Sequence, residues 1–156
     1  MANKVLVTCH LNADFDAIGS LFYVGWILSK QSNWDNTTLF LPVQLATASE
    51  SIKQFINNNE QLLQQLHITI SVKDIETFIT EKADNISKVI IVDTRKKSRI
   101  NEKIASFIES KLNVETINKQ QQQQPNFSLL VFDHHPPGNN DFQQTHYKAN
   151  TVCIQS

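Results

Sequence analysis

Cysteine is scarce in this chain of 156 residues, and long apolar runs and an excess of either charge are lacking. Its two cysteines, Cys9 and Cys153, form neither a CxxC pair nor a disulfide framework, which suits a reducing cytoplasm. The longest apolar stretch, Leu21 to Leu28, is too short to span a bilayer. Met1 to Lys4 lacks the charged region and long apolar core of a signal peptide. A cytoplasmic protein without membrane contacts is therefore expected. Lys and Arg total 14 against 15 Asp and Glu, a formal net charge of −1. That balance excludes the electrostatic footprint of a general binder of duplex DNA. No internal repeat or domain linker is evident.

What the chain does have is enough apolar residues, 40%, to build one core. Strand and helix patterns alternate along it. Val5–Cys9 reads as a strand. Ala17–Lys30 reads as a helix with Ile18, Leu21, Phe22, Trp26 and Ile27 at helical spacing. Thr38–Val43 is the next strand, and Ser49–Asn58 a helix with Ser49 as N-cap. Ile68–Val72 reads as a short strand and Asp74–Lys82 as a helix. Val89–Asp93 is apolar on both faces, the mark of a central strand covered on both sides. Ile100–Leu112 is a helix, Val114–Ile117 the start of a further strand, and Leu129–Asp133 the last clear strand. Gln120–Gln124, followed by Pro125, reads as a solvated loop. The alternation predicts an α/β fold: a doubly wound, mostly parallel sheet with helices on both faces.

Three of these strands end in carboxylates or imidazoles. Asp133, His134 and His135 follow Leu129–Phe132; His10, Asp14 and Asp16 follow Val5–Cys9; Asp93 follows Val89–Val92. The C-terminal ends of parallel strands converge on one crevice, so three His and four Asp are expected in one place. Imidazole with carboxylate suits divalent transition metals such as Mn²⁺ or Fe²⁺ better than Ca²⁺. Each residue also has a plainer role open to it. Asp14 or Asp16 could cap the next helix. Asp93-Thr94 could be an ordinary strand-to-helix turn, and Cys9 a core thiol rather than a ligand. Gly19-Ser20 could offer N–H groups to an anion, or Gly19 could serve close helix packing. Arg95, Lys96, Lys97 and Arg99 could form a basic patch for phosphates or a solvated helix start. His67 and His146 stand outside any motif.

The segments His10-x3-Asp14-x-Asp16-Ala17-x-Gly19-Ser20, Val92-Asp93-Thr94 and Asp133-His134-His135-Pro136 resemble motifs I, II and III of the DHH phosphoesterase superfamily. That superfamily includes exonucleases, oligoribonucleases, cyclic-dinucleotide phosphodiesterases, manganese pyrophosphatases and exopolyphosphatases. Asp14-Phe15-Asp16-Ala17 most resembles DHH domains that stand alone or are fused to CBS and nucleotidyltransferase domains. The resemblance covers nearly the whole chain. It implies an Mn²⁺-dependent hydrolase of a phosphodiester or phosphoanhydride (oligonucleotide, cyclic dinucleotide or polyphosphate type). Two ions are implied, with Mg²⁺ or Co²⁺ as substitutes. Held about 4 Å apart, such ions activate water and neutralise charge on the transferring phosphoryl group. By resemblance His10, Asp14 and Asp93 hold one ion; Asp16, Asp93 and His134 hold the other. His135 contacts the phosphate, and Asp133 stands behind His134 and orients it. Arg99 matches a basic position of the family; with Ser20 it is a candidate phosphate contact.

Family members carry a fourth Asp well beyond the His pair and a C-terminal substrate domain. Here 21 residues follow His135, and Asp141 is the sole Asp among them. The expectation is that residues 1–156 form the metal-binding domain without the substrate domain, weak or inactive alone, with Val152–Ser156 opening another element. Its expected partners are a phosphate-containing small molecule or short oligonucleotide, and a further C-terminal domain or subunit. The alternative is a non-catalytic metal- or nucleotide-binding module.

Overall fold

A parallel strand can be buried on both faces only if helices cover both, and strand Ile86–Val92 shows the requirement met. Val89 and Ile91 point into one apolar cluster, Ile90 and Val92 into another on the opposite face. The computed structural model describes residues 4–30, 37–42, 48–70, 72–120, 127–135, 141–142 and 151–154. In chain order its elements are β1 (Lys4–Thr8), α1 (Phe15–Ser29), β2 (Thr37–Phe40), α2 (Glu50–Asn58), α3 (Glu60–Gln65) and β3 (Ile68–Thr69). There follow α4 (Val72–Lys82), β4 (Ile86–Val92), α5 (Glu102–Gln120), β5 (Ser128–Phe132) and β6 (Thr151–Ile154). The strands form one sheet in the order β3-β2-β1-β4-β5-β6, and every pairing is parallel.

The order follows from the winding. From β1 the chain steps outward to β2 and β3, and Ile18, Leu21, Ile52, Ile56 and Leu63 of α1–α3 pack on one face. It then returns through α4 to the centre and steps the other way from β4. Ile75 and Ile79 of α4 and Ile104, Ile108 and Leu112 of α5 cover the second face. Each fully buried aliphatic side chain of this kind contributes roughly 1.5–3 kcal/mol. The direction of winding reverses between β1 and β4, and at such a point the crevice beyond the strand ends is left open.

Several elements differ from the reading of the sequence. Trp26 and Ile27 are not core residues: they are 55% and 40% exposed, and α1 buries Ala17, Ile18, Leu21 and Gly25 instead. Gly25 sets that face. A Cβ there would lie 2.5 Å from Leu39 Cδ1, so its bare backbone lets α1 sit close on β2. Gly19 is not a packing glycine, since a Cβ on it would meet nothing within 4 Å. Val114–Ile117 do not start a strand, because α5 runs on through them to Gln120. No Gly or Pro interrupts the stretch, and β-branched residues cost a helix only a few tenths of a kcal/mol. The second strand stops short of Val43. Leu41 N–H still donates to the Thr69 carbonyl, but Pro42 has no N–H to continue. The third strand is two residues long, Val72 already belonging to α4, and α3 was not foreseen. Val43, Gln121–Gln124, Pro125, Pro136, Gly138, His146 and the Cys153 side chain lie outside the described residues. No helix among the described residues is long and apolar enough to cross a membrane.

Candidate metal centre

Chain leaving β1 enters the crevice at His10, which is 2% exposed. Its Nδ1 lies 2.8 Å from the Leu11 carbonyl oxygen. A carbonyl can only accept, so Nδ1 carries a proton, and in the neutral ring Nε2 is the nitrogen left with a lone pair. That Nε2 is buried without a hydrogen-bond partner. It faces two carboxylates, Asp93 Oδ2 at 3.3 Å and Asp14 Oδ1 at 3.8 Å.

Asp14 is the N-cap of α1, its Oδ1 accepting from the Ala17 N–H at 3.0 Å. The plainer role is thus real, and it does not compete with the other: the same carboxylate caps the helix and faces His10. The Ala17 N–H, aided by the nearby His10 and Arg99, holds the Asp14 carboxyl below its ordinary range. Asn12, in the left-handed region at φ 56°, turns the loop between them and donates its N–H to Pro42.

Asp93 follows β4 with φ 58°, a conformation uncommon for residues other than glycine and tolerated best by Asn and Asp. Its N–H donates to the Phe132 carbonyl at 2.8 Å. The turn swings the carboxylate back over the switch point. There Oδ2 meets His10, and Oδ1 lies 3.3 Å from His134 Nδ1. Oδ1 is buried and has no hydrogen bond. Burial, then the charge of Asp16, pushes the Asp93 carboxyl above its ordinary range, with His10 opposing.

The third segment completes the group. His134 Nε2 is 3.7 Å from Asp16 Oδ2, and the His134 and His135 rings stack at 4.3 Å. The sequence led us to expect Asp133 behind His134; its hydrogen bonds run to His135. Its Oδ1 accepts from the His135 backbone N–H at 3.1 Å and lies 2.7 Å from His135 Nδ1. An aspartate accepting the amide two residues on is a local turn, and it brings that residue's ring onto the same oxygen. Oδ2 accepts from Arg95 Nε at 3.0 Å, and Arg95 Nη2 donates to the Asp133 carbonyl at 2.9 Å. Burial pushes the Asp133 carboxyl up, but these donors outweigh it and hold it below its ordinary range.

Arg95 is therefore no part of a solvated basic stretch. It is 7% exposed, and within the basic cluster after β4 nothing in the sequence set it apart. Lys97 leaves the patch as well, pairing with Glu109 on α5. Arg99 lines a cavity of about 170 Å³ with Thr94, Arg95, Lys96, Asp133 and His135. Ser20 sits half-buried on α1 and does not line that cavity. Cys9 packs in the core; burial pushes its thiol far above the ordinary range, and it joins neither ligand cluster.

Two sets of donor atoms lie within 4.8 Å of one another: His10, Asp14 and Asp93; and Asp93, Asp133, His134 and His135. Asp93 belongs to both. Donors about 2.0–2.2 Å from a shared ion stand roughly 3–3.6 Å apart, close to the 3.3 and 3.8 Å from His10 Nε2 to Asp93 and Asp14; Asp16 belongs to neither set and meets His134 at Nε2, whereas Asp93 meets it at Nδ1. Buried imidazole and carboxylate atoms with no partner, aimed at one another, fit a divalent cation. The family model for the DHH family, N-terminal domain, matches residues 4–154. No curated protein and no solved structure matches the chain.

Proposed function

Since the chain belongs to the DHH family, a family of phosphoesterases, we propose that its crevice is a dinuclear centre for hydrolysing a phosphodiester or phosphoanhydride. The observation that carries this reading is the pair of unpartnered buried atoms, His10 Nε2 and Asp93 Oδ1. His10, Asp14 and Asp93 would hold one ion; Asp16, Asp93 and His134 the second, Asp93 bridging. Mn²⁺ suits this mixture of nitrogen and oxygen donors, with Mg²⁺ or Co²⁺ as substitutes. When bound, such ions supply an activated water and neutralise charge on the transferring phosphoryl group.

The chain's own residues do the rest. His10 gives Nδ1–H to Leu11, which in the neutral ring leaves Nε2 as the nitrogen aimed at the site. His135 and Arg99 face the phosphate from the β4–β5 side, where the cavity beside them is lined by more cationic than anionic groups. The substrate in this reading is a phosphate-containing small molecule or a short oligonucleotide, and a further domain or subunit closes over it.

Calorimetric titration with Mn²⁺, and assays against a dinucleotide, pyrophosphate and a nitrophenyl diester, test the proposal. Binding of Mn²⁺, lost in Asp93→Ala, is expected; turnover by residues 1–156 alone should be weak or absent, and whatever there is should be metal-dependent and lost in the same variant. Hydrolysis that survives Asp93→Ala overturns it.

A further inference from the structure

We propose that Arg95 is the positioning residue for His135 and acts through Asp133. Both carboxylate oxygens of Asp133 are committed to protein donors. Oδ1 takes the His135 backbone N–H and lies 2.7 Å from His135 Nδ1; Oδ2 takes Arg95 Nε, while Arg95 Nη2 holds the Asp133 carbonyl. Arg95 thus grips one residue at two points, backbone and side chain. A planar guanidinium can do this and a lysine ammonium cannot. The pair is buried, with side-chain exposures of 9% and 2%, so little water is at hand to replace either contact.

Two consequences follow. Although an Asp133 oxygen lies within ligand distance of Asp93, His134 and His135, both its oxygens already accept from protein donors, which leaves Asp93 and His134 the freer donors on that side. A carboxylate only accepts, so His135 Nδ1 carries a proton and Nε2 is the ring nitrogen left for substrate. Arg95 lines the same cavity, but its Nε and one Nη2 proton are committed to Asp133. It fixes the oxygen that fixes the ring.

The part of this inference that concerns substrate rests on the phosphoesterase reading; the part that concerns the ring does not. Nitrogen-15 spectra of the His135 ring, recorded without metal at mildly alkaline pH, should show the Nδ1–H tautomer in the wild type. They should show a mixture in Arg95→Ala and in Arg95→Lys, the second variant serving if the first does not fold. In Mn²⁺-loaded protein, binding of inorganic phosphate should weaken about tenfold in Arg95→Ala, the lower end of what loss of such a support costs. Mn²⁺ affinity should be unchanged. Arg95→Ala/His135→Ala should bind phosphate no more weakly than His135→Ala, because the two act in series. An unchanged tautomer in both Arg95 variants, or additive losses in the double variant, overturns the proposal. Wild-type protein that binds Mn²⁺ but no phosphate counts against the phosphoesterase reading, and the spectra still decide the role of Arg95.

Discussion

His10 and Asp93 face each other across the gap between β1 and β4, Nε2 3.3 Å from Oδ2, and no hydrogen bond joins them. When the His10 ring is neutral, its one proton goes to Leu11. Without a cation between them, Nε2 and the Asp93 carboxylate then bury two lone pairs side by side, an arrangement that costs stability. The predictions begin from that cost.

Asp93→Asn should stabilise the metal-free protein at neutral pH while abolishing its response to Mn²⁺. Asparagine accepts the left-handed backbone at φ 58° and removes a buried charge. The sign follows from the raised carboxyl value of Asp93. A raised folded value favours the folded chain below the unfolded carboxylate range and loses that contribution as pH rises through it. The gain in melting temperature on substitution should therefore be larger at pH 7 than near pH 4. Thermal melts at both, with and without Mn²⁺, check this; a lower melting temperature for the metal-free variant at pH 7 refutes it.

His135→Ala should leave Mn²⁺ affinity near wild type and weaken phosphate binding at least about tenfold, roughly 1.4 kcal/mol. Parallel titrations with Mn²⁺ and inorganic phosphate separate the two. A loss of Mn²⁺ affinity instead would mean that the roles of His134 and His135 are exchanged.

One substitution should act with opposite signs at two places on α1. Gly19→Ala meets nothing within 4 Å and should add roughly 0.5–1 kcal/mol through helix propensity. Gly25→Ala drives a methyl to 2.5 Å from Leu39 Cδ1, in a fully buried side chain. Overpacking of this kind costs about 1–3 kcal/mol, more than propensity returns. Urea unfolding of the two variants should give midpoints on either side of wild type.

Asn101→Ala should cost about 0.5–2 kcal/mol. Asn101 Oδ1 accepts from the N–H groups of Lys103 at 2.9 Å and Ile104 at 3.3 Å, closing the open end of α5. Asn101→Asp keeps that acceptor and should recover most of the loss in the same unfolding experiment.

The gathering of His10, Asp93 and Asp133–His135 could be read before folding because each directly follows an apolar run, and parallel strands deliver their ends to one side; Asp14 joins from the loop beyond His10, and Asp16 belongs to neither donor set. Val89–Val92 announced both a central strand and the position of Asp93. The capping of α2 by Ser49 was legible for the same reason: it is settled within four residues, Ser49 Oγ accepting from Ile52 N–H. What escaped depends on distance along the chain. Arg95 finds Asp133 38 residues later, and a run of basic residues gives no sign of which one turns inward. Which glycine on α1 lies against the sheet depends on Leu39 of another element. Trp26 shares the helical spacing of Ile18 and Leu21, but helical spacing marks a stripe without saying which of two adjacent stripes meets the sheet.

At the far border of the sheet, β3 is only two residues long. A strand so short presents few unpaired backbone groups to a passing chain, which is how natural sheets guard against edge-to-edge aggregation. β2, with four residues, lies one place inward and is shielded by it. The side of the molecule that carries α2 and α3 is thus a poor template for strand addition. Among the described residues, β6 at the opposite border is the longer edge, with four residues to offer a partner strand.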